Sequence, residues 1–255
     1  MKNIIQIILL LFSSSLLACV CDDNPITEKY IESDFVAKIK ITKNYENEDS
    51  EELYKTEFII TELFKGENLK AIYVAGRSDG DMGSSCSIFI PENTELIVYA
   101  RKNKDGKYII GMCSGLLYLN KTNLKNQKRE LEILKTFKSK KIIFTDKINY
   151  REKNYSENKD IGTDLKQFRG IETNKEYGIY EITFDTNLTI KDVSEISGFG
   201  NQMDQKLIEI IKKSSWTSND NGIKDKVPEN SKLIIGIYFY AKEKNSLSFL
   251  STFYF

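Results

Sequence analysis

The segment Cys19-Val20-Cys21 stands where an apolar leader gives way to a polar sequence, and two further cysteines follow at Cys86 and Cys113. An even number of cysteines in an exported chain indicates a disulfide framework. Four cysteines allow three pairings, and spacing alone does not choose between them. The segment therefore predicts a fold that two disulfides fasten near the N-terminus of the mature chain.

The residues before Cys19 have the three parts of a secretory signal. One basic residue, Lys2, precedes an apolar run over residues 4–17, and the small residue Ala18 ends it. A helix that crosses a membrane needs about 20 apolar residues, so a removable signal peptide over residues 1–18 is favoured over a permanent anchor. The sequence predicts an exported protein of the cell envelope, either periplasmic or secreted.

Two processing routes stay open, because Leu16-Leu17-Ala18-Cys19 also resembles a lipobox. Both routes cut the chain before Cys19. The lipobox route would lipidate Cys19 and produce an outer-membrane lipoprotein, the only form for which we expect membrane contact. It would also leave an odd thiol in an oxidising compartment. Ordinary cleavage leaves four cysteines for two disulfides and is favoured.

Composition excludes several functions. Lys and Arg (37) balance Asp and Glu (37), so net charge gives no reason to expect nucleic acid as a partner. The chain has no histidine, and it therefore lacks the usual general base, the Ser-His and Cys-His pairs and the common zinc ligands. The carboxylates Asp79, Asp81, Glu92 and Glu95 show no motif spacing and are predicted to be solvated. We expect a binding or inhibitory module with no catalytic residue, cofactor or metal of its own.

Composition also divides the mature chain. Apolar segments are dense up to residue 137, a stretch rich in Lys, Asn, Glu and Asp follows, and apolar periodicity resumes beyond it. Polar stretches of this kind are typical of linkers. The predicted division is a signal peptide at 1–18, a first domain at 19–137, a polar linker at 138–163 and a second domain at 164–255.

The first domain is predicted to be mostly β. The predicted strands cover residues 35–41, 54–64, 71–75, 96–100 and 108–112. Asp105-Gly106 between the last two is a hairpin signal. Leu131, Leu134 and Phe137 share one face of a predicted helix at about 126–137. Many short strands followed by one helix indicate a small closed or partly open barrel.

Six short motifs carry a resemblance to a known family. They are, in chain order, Cys19-Val20-Cys21, Ser33-Asp34-Phe35-Val36-Ala37-Lys38-Ile39, Phe58-Ile59-Ile60-Thr61-Glu62-Leu63-Phe64-Lys65-Gly66, Ser84-Ser85-Cys86, Leu96-Ile97-Val98-Tyr99-Ala100 and Cys113-Ser114. Together they resemble the netrin-like domain of the tissue inhibitors of metalloproteinases (TIMPs) and their bacterial relatives. The resemblance implies an all-β OB-like barrel with an appended helix, and the disulfides Cys19–Cys86 and Cys21–Cys113. The third disulfide of the vertebrate inhibitors has no cysteines here.

The TIMP resemblance also implies a mode of action. After removal of Ala18, the α-amino nitrogen and the carbonyl oxygen of Cys19 would chelate the catalytic zinc of a metalloprotease. Val20 would enter the neighbouring specificity pocket of the protease, and Ser84 and Ser85 would line the same ridge. The alternative is a structural or peptide-binding envelope protein without inhibitory activity, in which the disulfides only fasten the fold.

The second domain has a different pattern of elements. An alternating strand at residues 178–184 and a hairpin partner at 188–196 precede a helix at about 202–213. Met203, Leu207, Ile210 and Ile211 form the apolar stripe of this helix. Further strands are predicted at residues 232–241 and 246–255. The pattern predicts an α+β two-layer domain of ββαβ order.

Residues 164–240 resemble the C-terminal domain of TonB-type energy transducers. The resemblance depends on Gly198 and Gly200 before the helix, Asp204 in its first turn, Trp216 after it and Pro228 before the returning strand. It implies a sheet edge that accepts an extended peptide by β-augmentation. With three prolines the chain lacks the long Pro-rich spacer of a transducer. We therefore expect the domain to dock protein partners, with Trp216 as a core residue.

Overall fold

The computed structural model describes residues 19, 21, 24–47, 52–81, 83–142, 148–153, 160–220 and 223–252. The predicted signal peptide and Val20 lie outside the described residues. By its contacts the chain separates into two units. The first comprises Met1–Asn24 and Ser33–Thr122, and the second comprises Pro25–Glu32 and Asn123–Phe255. In the described part of the chain, no helix is long and apolar enough to span a membrane.

The first unit is built from six strands. They are β1 (Phe35–Asn44), β2 (Leu53–Lys65), β3 (Ala71–Ala75), β4 (Glu95–Lys102), β5 (Tyr108–Ile110) and β6 (Leu117–Tyr118). The strand order is β1-β2-β3-β5-β4-β6, and β1 also pairs with β4. This last pairing closes five strands into a barrel, which confirms the predicted OB-like barrel. Only β3 and β5 pair in parallel among these described strands.

Apolar side chains from the strands fill the inside of the barrel. Phe35, Ala37, Ile39 and Ile41 of β1 all point into one buried core, as their period-two spacing predicts. Register shifts interrupt the pairing of β1 with β2 at three places. Such bulges increase strand curvature, which a barrel of few strands requires.

The second unit contains four α-helices, one 3-10 helix (Leu165–Phe168) and seven strands among its described residues. The α-helices and strands follow in chain order. They are α1 (Ile26–Glu32), α2 (Leu124–Ser139), β7 (Tyr150–Glu152), α3 (Ile161–Asp164), β8 (Tyr177–Phe184), β9 (Ile190–Ser197), α4 (Asn201–Lys213), β10 (Trp216–Asp220), β11 (Ile223–Lys224), β12 (Lys232–Tyr240) and β13 (Phe249–Ser251). One sheet has the order β13-β12-β8-β9, and a smaller one has the order β11-β10-β7. Both sheets are antiparallel.

Helix α4 covers one face of the four-stranded sheet. Its Leu207 and Ile211 are fully buried in one core cluster with Tyr180 and Ile182 of β8. Met203 of the predicted stripe is only partly buried at the edge of this cluster. Trp216 belongs to the same core. The likeness of this unit to TonB domains stays a prediction.

Helix α2 groups by its contacts with the second unit, whereas composition placed it in the first domain. It is held there by an ion pair between Arg129 and Glu176, with 3.3 Å between Nε and Oε2. The rings of Phe137 and Tyr30 also make a tilted contact, with centroids 4.8 Å apart. The buried apolar stripe contains Ile133 in place of the predicted Leu131, which is half-buried. By its contacts α2 belongs to the second unit, and the domain boundary at residue 137 stays a prediction.

Part of the predicted linker at 138–163 is ordered into a sheet. Strand β7 pairs with β10, and the Tyr150 ring stacks on Phe184 with centroids 5.2 Å apart. Asp160 caps α3 by accepting a hydrogen bond from the Thr163 amide at 2.6 Å. The sequence did not predict β7, because a strand of three residues is too short to show periodicity and the residues around it are polar.

Candidate protein-interaction site

The topology of the barrel brings two loops together at one end. Because β3 and β5 run in parallel as neighbours, the segments that follow them leave the same end of the barrel. The segment after β3 carries Cys86, and a short 3-10 helix after β5, Met112–Ser114, carries Cys113. The parallel pair therefore positions the two later cysteines to receive the N-terminal segment.

Two disulfides fasten the N-terminal segment to these loops. Cys19 is bonded to Cys86 and Cys21 to Cys113, with Cα–Cα distances of 5.3 and 5.1 Å. These distances are normal for disulfides, and these are the pairs that the TIMP resemblance implies. The sulfur atoms of Cys19, Cys21 and Cys113 lie within 4.8 Å of one another, so the two bridges are neighbours. Sulfurs held in disulfides do not act as thiolate ligands, and the cluster does not fit a metal ion.

The Cys86 loop is held to the barrel by hydrogen bonds to its backbone. The Ile88 amide donates to the carbonyl of Ala75 at 2.9 Å, and the buried Ile90 amide donates to the Tyr54 hydroxyl at 2.9 Å. A Cβ on Gly76 would lie 2.1 Å from the Ile88 oxygen, so only glycine permits this approach. The loop is consequently fixed on the side from which Cys86 bonds to Cys19.

Ser84 and Ser85 are exposed in a tight turn next to Cys86. The Ser87 amide donates to the Ser84 carbonyl at 3.0 Å, and the Ser84 amide donates to the Ser87 hydroxyl at 2.9 Å. The Cys19–Cys86 disulfide thus brings both serines close to Cys19. Val20, the fourth predicted contact residue, lies outside the described residues.

Sequence reasoning missed an apolar groove beside the Cys21–Cys113 disulfide. Met112 and Tyr118 line it and are 46% and 39% exposed, together with the partly buried Ile88 and Leu116. Its volume is about 380 Å³. No motif marked these residues, and the signal that could have found them is the adjacency of apolar residues to Cys113.

The carboxylates of Asp79, Glu92 and Glu95 make contacts on the surface of the barrel. Asp79 pairs with Arg77, whose hydrogen bond holds the pKa of Asp79 below its usual range, and it accepts from the Asp81 amide at 3.0 Å. Glu92 accepts from the amide of Asn44 at 3.0 Å. Glu95 lies 3.8 Å from Lys38 across β1 and β4. These contacts agree with the solvated role predicted for the carboxylates.

Residues 17–133 match the family model described as tissue inhibitor of metalloproteinase. This part of the chain is TIMP-like. The match contains the whole TIMP-like barrel and both disulfides, and it ends within α2. A search of the curated proteins found no match. Disulfides are typical of exported proteins, and a TIMP-like domain is consistent with a protein-binding role without enzymatic activity.

Among the residues behind the TonB resemblance, Gly198, Gly200 and Asp204 lie together at the start of α4. The Asp204 carboxylate is 3% exposed and accepts hydrogen bonds from the amides of Phe199 and Gly200 and from the Tyr180 hydroxyl, at 2.8, 2.6 and 2.6 Å. A Cβ on Gly198 would lie 2.4 Å from this carboxylate. Close packing against the Asp204 carboxylate therefore accounts for glycine at position 198, and the hydrogen bonds account for an acidic residue in the first turn of α4.

Proposed function

We propose that the protein is an exported metalloproteinase inhibitor that acts through the N-terminus of its mature chain. The observation that carries the proposal is the pair of neighbouring disulfides that fasten Cys19 and Cys21 to two loops at one end of a TIMP-like barrel. The α-amino nitrogen and carbonyl oxygen of Cys19 would bind the catalytic zinc of a protease.

The proposed mode of inhibition depends on which groups of the chain can bind zinc. A catalytic zinc keeps one coordination position for water, and a ligand that occupies this position prevents hydrolysis. The chain has no histidine, and the described cysteines are oxidised. Signal cleavage before Cys19 would create a primary amine next to a carbonyl oxygen, which together form a chelate.

The disulfides would lower the entropy cost of inhibition. A free N-terminal segment loses conformational freedom when it binds, whereas one already fastened loses little. Ser84 and Ser85 would extend the contact surface on one side, and the groove at Met112 and Tyr118 on the other. Val20 would supply the side chain that enters the protease.

The disulfide at Cys19 also supports ordinary signal cleavage. A lipobox cysteine carries its lipid on the thiol, and the Cys19 sulfur is bonded to Cys86. One sulfur cannot make both bonds. We therefore propose a periplasmic or secreted protein with a free amine at Cys19, and the outer-membrane lipoprotein is the alternative.

The test is a titration of several zinc endopeptidases with mature protein that begins at Cys19. We expect inhibition of at least one enzyme, and we expect an alanine added before Cys19 to abolish it. The addition moves the amine by one residue, about 3.3–3.6 Å, which exceeds a zinc–nitrogen bond of about 2.0–2.1 Å. The control is the variant Lys244→Ala, because Lys244 is exposed and lies far from Cys19 in the sequence. No inhibition across the panel, or full inhibition by the extended protein, would reject the proposal.

A second candidate function is peptide docking on the second unit. Strand β9 is the last strand of its sheet, and within the described residues it pairs only with β8. Such an edge can accept an extended peptide. Slower hydrogen exchange of the β9 amides on addition of an envelope protein fraction, without inhibition of any peptidase, would favour this function.

A further inference from the structure

The second unit contains a cleft whose described lining residues all belong to that unit. Its volume is about 280 Å³, close to the lower limit for small-molecule sites. Its apolar wall includes Ile31 of α1, Tyr150 of β7, Ile161 of α3, Trp216 of β10 and Leu233 of β12. A wall of this kind favours an apolar ligand of modest size.

The charged groups of this cleft are mostly acidic. Glu28 and Glu32 reach it from α1, and Glu152 reaches it from β7. Lys232 is the single basic residue in the described lining, and its ammonium already pairs with Glu181 at 2.7 Å. Three carboxylates and one ammonium thus belong to the described lining, and this formal charge favours a cation as occupant.

Glu152 is the carboxylate placed most closely among the apolar groups. Its Oε1 accepts a hydrogen bond from the Ile161 amide at 2.8 Å, which ties the carboxyl of β7 to the first residue of α3. Burial, aided by the nearby Asp160 and Asp164, raises the pKa of Glu152 to about 7, although the hydrogen bond from the Ile161 amide acts in the opposite direction. A bound cation would relieve this unfavourable burial of a negative charge.

We propose that this cleft binds a primary ammonium ion with a short apolar chain. The ammonium would pair with Glu152, and the chain would lie against Trp216 and the apolar wall. This inference does not depend on metalloproteinase inhibition. A neutral alcohol of the same shape should bind more weakly than the ammonium, because it carries no positive charge to balance the carboxylate of Glu152.

The experiment is a fluorescence titration of the full mature chain. Trp216 is the only tryptophan and lines the cleft, so its emission reports occupancy directly. The probes are n-hexylammonium chloride and n-hexanol. We expect saturable change with the ammonium and at least about tenfold weaker binding of the alcohol, since a charge-assisted pair is lost. Equal affinity for both probes, or no saturable change, would overturn the proposal.

Two variants locate the ammonium. Glu152→Gln keeps an oxygen that can accept from the Ile161 amide but removes the charge, and we expect about tenfold weaker binding. Glu229→Gln alters an exposed carboxylate that pairs with Lys191, outside the cleft, and should bind like the unchanged protein. Unchanged affinity in Glu152→Gln would overturn the proposal. Circular dichroism establishes that each variant is folded.

The pH dependence gives a test that needs no variant. The alkylammonium stays charged below about pH 10, so a change in affinity near neutrality reports the protein. The titratable groups facing Glu152 are Glu28, Glu32, Tyr150, Asp160, Asp164 and Lys232. We expect affinity to rise about tenfold between about pH 6 and pH 8, as the Glu152 carboxyl loses its proton. Affinity that is constant across this range would contradict the assignment.

Discussion

At the scale of single residues, Asp204 stabilises the start of helix α4. In the second unit, the buried Asp204 carboxylate accepts three hydrogen bonds, from the amides of Phe199 and Gly200 and from the buried Tyr180 hydroxyl. Two of these donors are backbone amides at the start of α4, so the side chain fixes the beginning of its own helix. The burial of Tyr180 and its hydrogen bond to Asp204 raise the pKa of the phenol.

Asp204→Asn should therefore destabilise the protein. The amide of asparagine would direct N–H donors toward the donors of Phe199, Gly200 or Tyr180, and the expected loss is about 2 kcal/mol or more. Denaturant unfolding measures the change. Asp192→Asn, at a carboxylate 65% exposed, is the control and should change the free energy of unfolding by less than about 0.5 kcal/mol. Equal stability of the two variants would contradict the role of Asp204.

Glu152 should make stability depend on pH. Its pKa in the folded protein is about 7, above its ordinary 4.5, so the folded state binds more protons than the unfolded state between these values. The free energy of unfolding should consequently fall as pH rises from 4.5 to 7. After allowance for solvent screening, the loss is on the order of 1–2 kcal/mol. In Glu152→Gln this fall should be absent, as thermal unfolding at several pH values will show.

Val20 should determine the strength of inhibition if the proposed function is correct. Val20→Gly would remove a small apolar side chain from the protease pocket, at a cost of about 1–2 kcal/mol. This corresponds to an inhibition constant about 5–30 times larger. Glu95→Gln, at a charged surface residue, is the control and should leave the constant unchanged. Inhibition that is equally strong in Val20→Gly would show that this side chain does not enter the protease.

At the scale of elements, the decisive feature is the parallel pair β3 and β5. Their following loops carry Cys86 and Cys113 to the same end of the barrel, where the disulfides receive Cys19 and Cys21. Each bridge joins residues far apart in sequence, with separations of 67 and 92 residues. Closing loops of this length strongly restricts the unfolded chain.

Removal of one disulfide should lower both the stability of the protein and its inhibition of a protease. The double variant Cys21→Ser with Cys113→Ser should lose about 2–5 kcal/mol in unfolding, because its unfolded state is less restricted. The barrel should still close through the pairing of β1 with β4. Inhibition should weaken as well, since the N-terminal segment would keep only its bond to Cys86. A variant with unchanged stability, measured under non-reducing conditions, would show that this disulfide only bridges a preformed structure.

At the scale of the whole molecule, export and oxidation are linked. Ordinary signal cleavage leaves the four cysteines paired, whereas lipidation of Cys19 would leave Cys86 without its disulfide partner. The processing route therefore determines both the free amine and the thiol content of the mature protein.

Intact mass and thiol titration of the exported protein distinguish the routes. We expect a chain that begins at Cys19, carries no lipid and reacts with no thiol reagent before reduction, since both disulfides would be formed. After reduction, four thiols should react. A diacylglyceryl mass together with one reactive thiol or more would reject the free N-terminus and, with it, the proposed chelation.

The sequence alone determined the elements whose periodicity is local. The alternation of Phe35, Val36, Ala37, Lys38 and Ile39 predicted β1, and Asp105-Gly106 predicted the turn where Gly106 has a φ of +80°. A few consecutive residues suffice for such predictions, because turn propensity and the period-two spacing of apolar side chains are both local properties of the sequence. The positions of the cysteines likewise pointed to an exported, disulfide-linked chain.

Only the tertiary structure decided which distant segments meet. Closure of β1 on β4, the parallel placement of β3 and β5, and the grouping of α2 with the second unit depend on packing across long sequence separations. The groove beside Cys113 and the cleft at Glu152 arose in the same way, from surfaces that several elements form together. A cavity has no local periodicity, because its walls come from strands and helices that are adjacent only after folding.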